Sequence, residues 1–93
     1  MMNLKEIPKE KIVEAIEKNL NIEQIVEVKI PKKTMQKYWA HIERILVDVG
    51  EFRKFLLSQR PDLEDILSTP KGIKWLNEKV PILYEKVYKA VWG

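Results

Sequence analysis

The sequence predicts a mainly α-helical domain that contains two helices joined by a tight turn. In residues 22–44, apolar side chains recur at helical spacing on both sides of Ile30. A strong helix start follows later in the chain, where Thr69 can cap a helix that begins with Pro70. The composition, 45% hydrophobic and 33% charged, is typical of a folded chain, and we expect one domain over residues 1–93.

Composition excludes several classes of protein. The chain has no cysteine, which rules out a disulfide scaffold, thiol chemistry and a cysteine-based zinc site. No apolar run approaches the ~20 residues that cross a bilayer, and the first residues lack the apolar stretch of a secretory signal. We therefore expect a cytoplasmic protein with no membrane partner. Abundant Lys, Glu and Ile with few Asn and Gln are typical of heat-adapted proteins.

The first helix is expected to begin at Pro8 and to bury an apolar stripe that includes Ile12 and Ile16. Asn19 is a plausible stop, because asparagine tolerates left-handed backbone geometry. A second helix would then run from Ile22 to about residue 28. The alternation of apolar residues over 26–30 leaves a β-strand there as the alternative.

After the turn, a helix is predicted over residues 32–49. Its apolar positions Met35, Trp39 and Ile42 would face the preceding helices. The polar side chains left outside can all donate hydrogen bonds to phosphates or base edges: Lys33, Gln36, Lys37, His41 and Arg44. This face is suited to an anionic ligand.

The segment IPKKTMQKYWAHI, residues 30–42, resembles the recognition segment of winged helix-turn-helix DNA-binding proteins. The matching positions are Thr34, Met35, Lys37, Trp39 and Ile42. The segment STPKGIKWL, from residue 68, resembles the one that follows the wing in that family. The resemblance implies a small β wing, with a strand at 52–57, a tip at 58–62 and a return strand near 65–68.

An all-α bundle with one long central helix is the alternative fold. Apolar residues from Met35 to Leu56 continue at spacings of three and four, which predicts one helix of about 25 residues that ends near Ser58. A short helix at 61–67 would follow it. Gly50 favours the break that the winged fold requires, because glycine inside a helix costs about 1 kcal/mol relative to alanine.

The last helix is expected over residues 69–92, with Pro81 producing either a kink or two consecutive helices. Beyond Pro81 the apolar residues occupy more than one helical face, and a small domain covers only one. We therefore expect a homodimer whose interface uses the remaining apolar side chains Ile82, Tyr88 and Trp92.

Positive charge is concentrated in the middle of the chain. The net charge is −2 over residues 1–28, +5 over 29–60 and 0 over 61–93, a pattern typical of nucleic-acid binding. We expect sequence-specific binding to double-stranded DNA, as in a transcriptional regulator, with the helix over 32–49 in the major groove. Base edges would be contacted by Lys33, Gln36 and Lys37, and the nearer phosphates by Lys32, Thr34, His41 and Arg44. If the wing is present, the flanking backbone would be contacted by Arg53, Lys54 and Arg60.

No enzyme, metal or cofactor site is predicted. His41 is the only histidine, and no serine or cysteine is placed to form a nucleophilic triad with it. The three glycines stand alone, so no phosphate-binding glycine loop is present. The alternative function is a helical protein–protein interaction module that does not bind nucleic acid.

Overall fold

The structure, a computed structural model, describes residues 6–24 and 30–93. These residues form α-helices and no β-strand, which confirms the mainly helical class. The helices are α1 (Lys9–Glu17), α2 (Lys32–Lys37), α3 (Trp39–Val47), α4 (Val49–Gln59), α5 (Glu64–Leu67) and α6 (Pro70–Trp92). Single 3₁₀ turns lie at Ile22–Gln24 and Pro61–Leu63.

Helix α6 is the centre of the fold, because it contacts each of the other five α-helices. Its 23 residues correspond to about 34 Å of helix, and the longest dimension of the molecule is 35 Å. The other helices lay their apolar side chains on its buried face. This core contains Ile12, Ala15, Ile16, Ile22, Met35, Leu46, Phe52, Leu56, Leu63, Leu67, Trp75, Leu76, Val80, Leu83, Val87 and Val91.

The start of α6 confirms the predicted cap. Thr69 Oγ1 accepts a hydrogen bond from the Gly72 amide at 3.1 Å, and its hydroxyl donates to the Ile66 carbonyl at 2.7 Å. Gly72 is required here by close packing, because a Cβ at this position would lie 2.2 Å from the Ile66 carbonyl oxygen. The end of α5 can therefore approach the first turn of α6 only where that turn has no side chain.

Pro81 does not divide the last helix. α6 continues through it as one helix, so of the two expected outcomes, a kink or two consecutive helices, the second is wrong. Pro81 removes the hydrogen bond that the carbonyl of Asn77 would otherwise receive. Both residues are exposed, so water can solvate that carbonyl and the helix continues.

The N-terminal segment follows the prediction closely. Pro8 is the N-cap of α1, and Ile12 and Ile16 are buried. Asn19 ends this segment with a φ of 57°, which confirms the left-handed stop. Only the first residues of the predicted second helix are described, as the 3₁₀ turn Ile22–Gln24. The remainder of that helix and the alternative strand at 26–30 fall almost entirely outside the described residues.

The predicted helix over 32–49 is two helices, α2 and α3, separated at Tyr38. Tyr38 has φ −106° and ψ 23°, yet hydrogen bonding continues across it. Its amide donates to the Thr34 carbonyl, and its carbonyl accepts from the amides of His41 and Ile42, all at 3.1 Å. Residues of α2 and α3 therefore keep a nearly helical relationship across the break.

The β wing is wrong. Residues 52–57 are helical and belong to α4, residues 58–62 contain the end of α4 and the start of a 3₁₀ turn, and residues 65–68 belong to α5 and its C-cap. The cause is Asp48, whose extended backbone ends α3 and whose Oδ1 accepts from the amides of Gly50 at 2.8 Å and Glu51 at 3.3 Å. A capped helix therefore restarts at Val49.

The all-α alternative is closer to the structure but also needs correction. The long central helix is interrupted at Tyr38 and Asp48 rather than continuous. The short helix at 61–67 is present as the 3₁₀ turn Pro61–Leu63 followed by α5. Phe52 and Leu56, four residues apart, are buried in the core, so the apolar spacing is satisfied by α4 as a separate helix.

Candidate nucleic-acid interface

A row of basic side chains runs along the outside of α2 and α3. Lys33, Lys37, His41 and Arg44 follow one another at spacings of four, four and three residues, and all are exposed. Residues at these spacings lie on one face of a helix, and the hydrogen bonds across Tyr38 preserve that register. We call these four residues the basic stripe. It lies opposite the buried Met35 and Leu46, which face the core.

The lysines and arginine of the basic stripe form no ion pair within residues 6–24 and 30–93, and neither does the neighbouring Lys32. Elsewhere many cations are neutralised by a carboxylate. These pairs are Lys9–Asp65, Lys18–Glu14, Lys54–Glu51, Arg60–Asp62, Lys86–Glu23 and Lys89–Glu85. Within residues 30–47 the only acid is Glu43, against four lysines and arginines. The positive charge of this surface is therefore not compensated locally.

The cationic side chains of the basic stripe are exposed and make few contacts with the described residues. Lys37 Nζ lies 5.5 Å from the centroid of the Tyr38 ring, a cation–π contact that is weak at an exposed site. Lys32 and Thr34 are exposed as well. These side chains can reorient towards a ligand at low cost.

Gln36 does not belong to the exposed row. It is half-buried, and its Nε2 donates a hydrogen bond to the Val91 carbonyl at 3.0 Å. The last carbonyls of a helix have no partner within the helix, so this side chain supplies one near the end of α6. Gln36 therefore links α2 to α6 and is not free to contact a base.

The three basic residues assigned to the flanking DNA backbone differ from one another. Lys54 is exposed and 3.7 Å from Glu51. Arg53 is partly buried and donates to Ser68 Oγ at 3.1 Å. Arg60 is only 11% exposed in its side chain, forms two hydrogen bonds to Asp62 and donates a third to the Ile7 carbonyl.

Arg60 has a structural role that the sequence did not reveal. Its guanidinium joins Ile7, the residue before the N-cap of α1, to the turn before α5. Its hydrogen bond to Asp62 holds the pKa of that carboxyl below its usual value. An arginine so engaged and so little exposed cannot contact DNA without breaking these bonds. The assignment of Arg60 to a wing tip is wrong, because the wing that would have exposed it does not exist.

Four aromatic rings meet where α3 packs on the second half of α6. The centroid of Trp39 lies 6.2 Å from that of Tyr84, 5.8 Å from that of Tyr88 and 6.1 Å from that of Trp92. We call these four residues the aromatic cluster. Tyr88 and Trp92 meet Trp39 in edge-to-face geometry, an arrangement that aromatic pairs prefer.

Tyr84 connects the aromatic cluster to α3 by a polar contact. Its hydroxyl donates to Glu43 Oε2 at 2.8 Å, and this hydrogen bond to a carboxylate raises the pKa of the tyrosine. The only acid of residues 30–47 is therefore held by α6. It is not positioned to neutralise the basic stripe.

The residues assigned to a dimer interface lie on different parts of α6. Tyr88 and Trp92 are 47% and 48% exposed, whereas Ile82 is partly buried. Ile82 precedes Tyr88 by six positions, which places it about 120° away around the helix. The exposed apolar surface of this segment therefore consists of Tyr88 and Trp92, with Ile82 on another face.

Two contacts between helices that shape this surface are not predicted from the sequence: Gln36 with Val91, and Tyr84 with Glu43. Gln36 stands three positions before Trp39, on the border of the buried face, and this spacing was the available signal. For Tyr84 and Glu43 no local signal existed, because the pair is 41 residues apart.

The described residues contain no group of three His, Cys, Asp or Glu side chains that could hold a metal ion. None of the described helices combines the length and the apolar composition needed to span a bilayer. In comparisons with known proteins, no family model, no curated protein and no solved structure matches this chain.

Proposed function

We propose that the protein binds double-stranded DNA through the basic stripe. The observation that carries this proposal is the set of exposed cations that form no ion pair with another described residue: Lys33, Lys37 and Arg44, with Lys32 beside them. Cations on other surfaces of the protein are often neutralised within the chain. Phosphate groups of a duplex would supply the missing negative charges, and release of their counterions would drive binding.

The dimensions of the stripe suit a major groove. Eleven residues separate Lys33 from Arg44, which corresponds to about 16 Å of helix, and the major groove is about 12 Å wide. With α2 and α3 in the groove, Lys33 and Arg44 at the two ends would lie nearest the phosphates. Lys37 and His41, in the middle, would face the base edges.

Sequence preference and a regulatory role belong to the same proposal. Base contacts by Lys37 and His41 would give the preference, and Lys32 and Thr34 are exposed and available to the flanking backbone. Lys54 is exposed too, and it would exchange its pair with Glu51 at 3.7 Å for a phosphate. Gln36 and Arg60 are left out of the contact set because the fold already uses their donors. The guanidinium of Arg53 already donates a hydrogen bond to Ser68 Oγ.

The test is the salt dependence of binding to a labelled duplex of mixed sequence, followed by fluorescence anisotropy. Phosphate contacts by the three residues Lys32, Lys33 and Arg44 predict a slope of about −2.7 in log affinity against log salt. This slope is a loss of affinity on the order of 40-fold between 50 and 200 mM salt. Two copies on one duplex would double the slope. No binding at low salt, or affinity that does not change with salt, would overturn the proposal.

A protein–protein interaction module is the second candidate, and the half-exposed Tyr88 and Trp92 favour it. Such a module would bind its partner through apolar contacts with little dependence on salt. Pairing of two copies through these side chains also stays a prediction. Sedimentation of the wild-type chain at tens of micromolar tests it, because a monomer at that concentration would refute it.

A further inference from the structure

Tyr88 and Trp92 keep about half of their surface in contact with solvent although they belong to the aromatic cluster. Trp39 meets both rings edge to face, at interplanar angles of 63° and 85°. Both side chains are about half exposed, at 47% and 48%, so part of each ring is not covered by the described residues. A free aromatic face can stack on another planar ring.

These two rings are held in place rather than mobile on a surface. Tyr88 also packs against Tyr84, with centroids 6.2 Å apart, and Tyr84 is fixed to Glu43 by its hydroxyl. The end of α6 is tied to α2 by the hydrogen bond from Gln36 to Val91. A ligand that stacks on these rings would therefore lose little affinity to the ordering of side chains.

The half-exposed rings of Tyr88 and Trp92 lie beside Lys32 and Lys33, which form no ion pair within the described residues. Lys32 and Lys33 precede Gln36 by four and three positions, so their Cβ atoms lie about 5 to 6 Å from that of Gln36. The amide of Gln36 is 3.0 Å from the carbonyl of Val91, the residue before Trp92. One end of the basic stripe thus adjoins the aromatic cluster.

These two rings alone offer a second copy of the chain little area to bury. Large aromatic side chains bury about 150 to 250 Å² each, so two half-exposed rings offer roughly 200 Å², against about 800 Å² per partner in a stable interface. Two-fold pairing would also bring Lys32 and Lys33 near their own copies, and like charges across an interface are unfavourable. The surface instead suits a ligand that combines planar rings with negative charge.

We infer that Tyr88 and Trp92 stack on unpaired nucleobases next to the basic stripe, so that the preferred ligand is DNA in which a duplex adjoins a single-stranded segment. The inference rests on the proposed DNA binding and specifies its substrate. The stripe holds the phosphates of the duplex, and the rings receive the first bases beyond it. In an intact duplex those bases are already stacked and paired, so the rings would have no ligand.

The experiment compares three labelled DNAs with the wild-type protein at one salt concentration. The first is a short blunt duplex, the second is the same duplex with a short thymine extension on either strand end, and the third carries an abasic extension of equal length. The abasic strand keeps the phosphates and removes the bases. We expect the thymine extension to tighten binding about tenfold for a single stacked base, and the abasic extension to give much less.

Substitution of each ring tests whether Tyr88 and Trp92 cause the tighter binding of the extended DNA. Tyr88→Ala and Trp92→Ala should reduce the ratio of the affinities for extended and blunt DNA towards one. Ile73→Ala is the matched control, because Ile73 is also exposed, at 47%, and stands 19 positions before Trp92 on α6, about 28 Å away. It should leave the ratio unchanged. Circular dichroism of each variant checks that the fold is retained, and the comparison of the three DNAs does not depend on any variant.

The outcomes distinguish a failure of base stacking from a failure of the proposed DNA binding. If none of the DNAs is bound at low salt, the proposed function fails and the inference fails with it. If the blunt duplex is bound and neither extension improves binding, or both improve it equally, DNA binding stands and stacking is refuted. If Tyr88→Ala or Trp92→Ala converts a wild-type dimer into a monomer, the surface is an interface between copies and the inference is overturned.

Discussion

The side-chain amide of Gln36 donates a hydrogen bond to the backbone carbonyl of Val91 at 3.0 Å, across 55 residues of sequence. It connects α2, which begins the basic stripe, to the last turn of α6. Met35, beside it, is buried in the core. The position of the proposed DNA-binding surface therefore depends on contacts made by the far end of the chain.

Gln36→Ala should lower the free energy of unfolding by about 1 kcal/mol, because it removes this hydrogen bond and leaves the Val91 carbonyl without its partner. Urea unfolding followed by circular dichroism measures the change. Lys37→Ala is the control, since Lys37 is exposed and outside any ion pair in the described chain, and its effect should stay within about 0.5 kcal/mol. Equal stabilities of the two variants would contradict a role for Gln36 in joining the helices.

Gly72→Ala should destabilise the protein by ~1 to 3 kcal/mol, although alanine is the better helix former. The added Cβ would lie 2.2 Å from the Ile66 carbonyl oxygen, which is backbone and cannot move away without displacing α5. Thermal unfolding provides the measurement. Lys71→Ala, at the preceding exposed position, should be nearly neutral. A Gly72→Ala protein as stable as the wild type would show that α5 is not packed as described.

Asp62→Asn should remove stability at neutral pH and have no effect in strong acid. The hydrogen bond from Arg60 lowers the pKa of Asp62 in the folded state. A carboxyl with a lowered pKa contributes stability that is present above its unfolded value, about 3.9, and is lost as the pH falls through the folded value. The difference in urea midpoint between wild type and variant should therefore begin to shrink at about pH 4 and disappear once the pH is below the folded pKa.

A matched carboxylate helps to interpret that experiment. Glu64 is exposed nearby and forms no hydrogen bond through its side chain within the described residues. Glu64→Gln should change the urea midpoint only slightly. If Asp62→Asn lost equal stability at every pH, packing rather than charge would explain its effect.

Lys33→Ala and Arg44→Ala should each reduce the salt slope of duplex binding by about 1, because each removes one phosphate contact. Lys37→Ala should instead relax sequence preference, by ~1 to 3 kcal/mol if its base contact is a good one. Lys71→Ala is the charge-matched control: it stands 20 positions before Val91 on α6, about 30 Å from the site where Gln36 docks. A loss of slope as large in Lys71→Ala as in Lys33→Ala would place the DNA elsewhere.

Much of the helical layout could be predicted because its signals are local. The cap at Thr69 depends on neighbouring residues, and the stop at Asn19 depends on the left-handed geometry that asparagine tolerates. The exposure of Lys33, Lys37, His41 and Arg44 followed from helical spacing alone. These features need no knowledge of distant contacts.

The region after α3 is harder to predict from sequence, because apolar spacing is the same for one long helix and for two helices in succession. The deciding signal was Asp48 followed three positions later by Glu51, a pattern typical of a helix start. Gly50 instead predicts a break two residues later, with a wing beyond it. Gly50 is in fact within the first turn of α4, and its amide donates to Asp48.

Contacts over long sequence separations set the remaining details. Gln36 with Val91, Tyr84 with Glu43 and Arg60 with Ile7 each join residues that are distant in sequence. The side chains that form them are ordinary polar residues of helix borders. Whether such a residue faces solvent, a ligand or a neighbouring helix depends on the packing, which spacing does not specify.

Because α6 contacts every other α-helix of the described chain, each of these helices packs part of its surface against it. Unfolding should therefore be a single cooperative event, in which spectroscopic probes of different regions change together. In native-state hydrogen exchange, the slowest amides should lie on the buried face of α6, and they should exchange only through global opening. A perturbation at Thr69, at one end of this helix, would then change the lifetime of the whole native state, including the proposed DNA-binding surface at the other end.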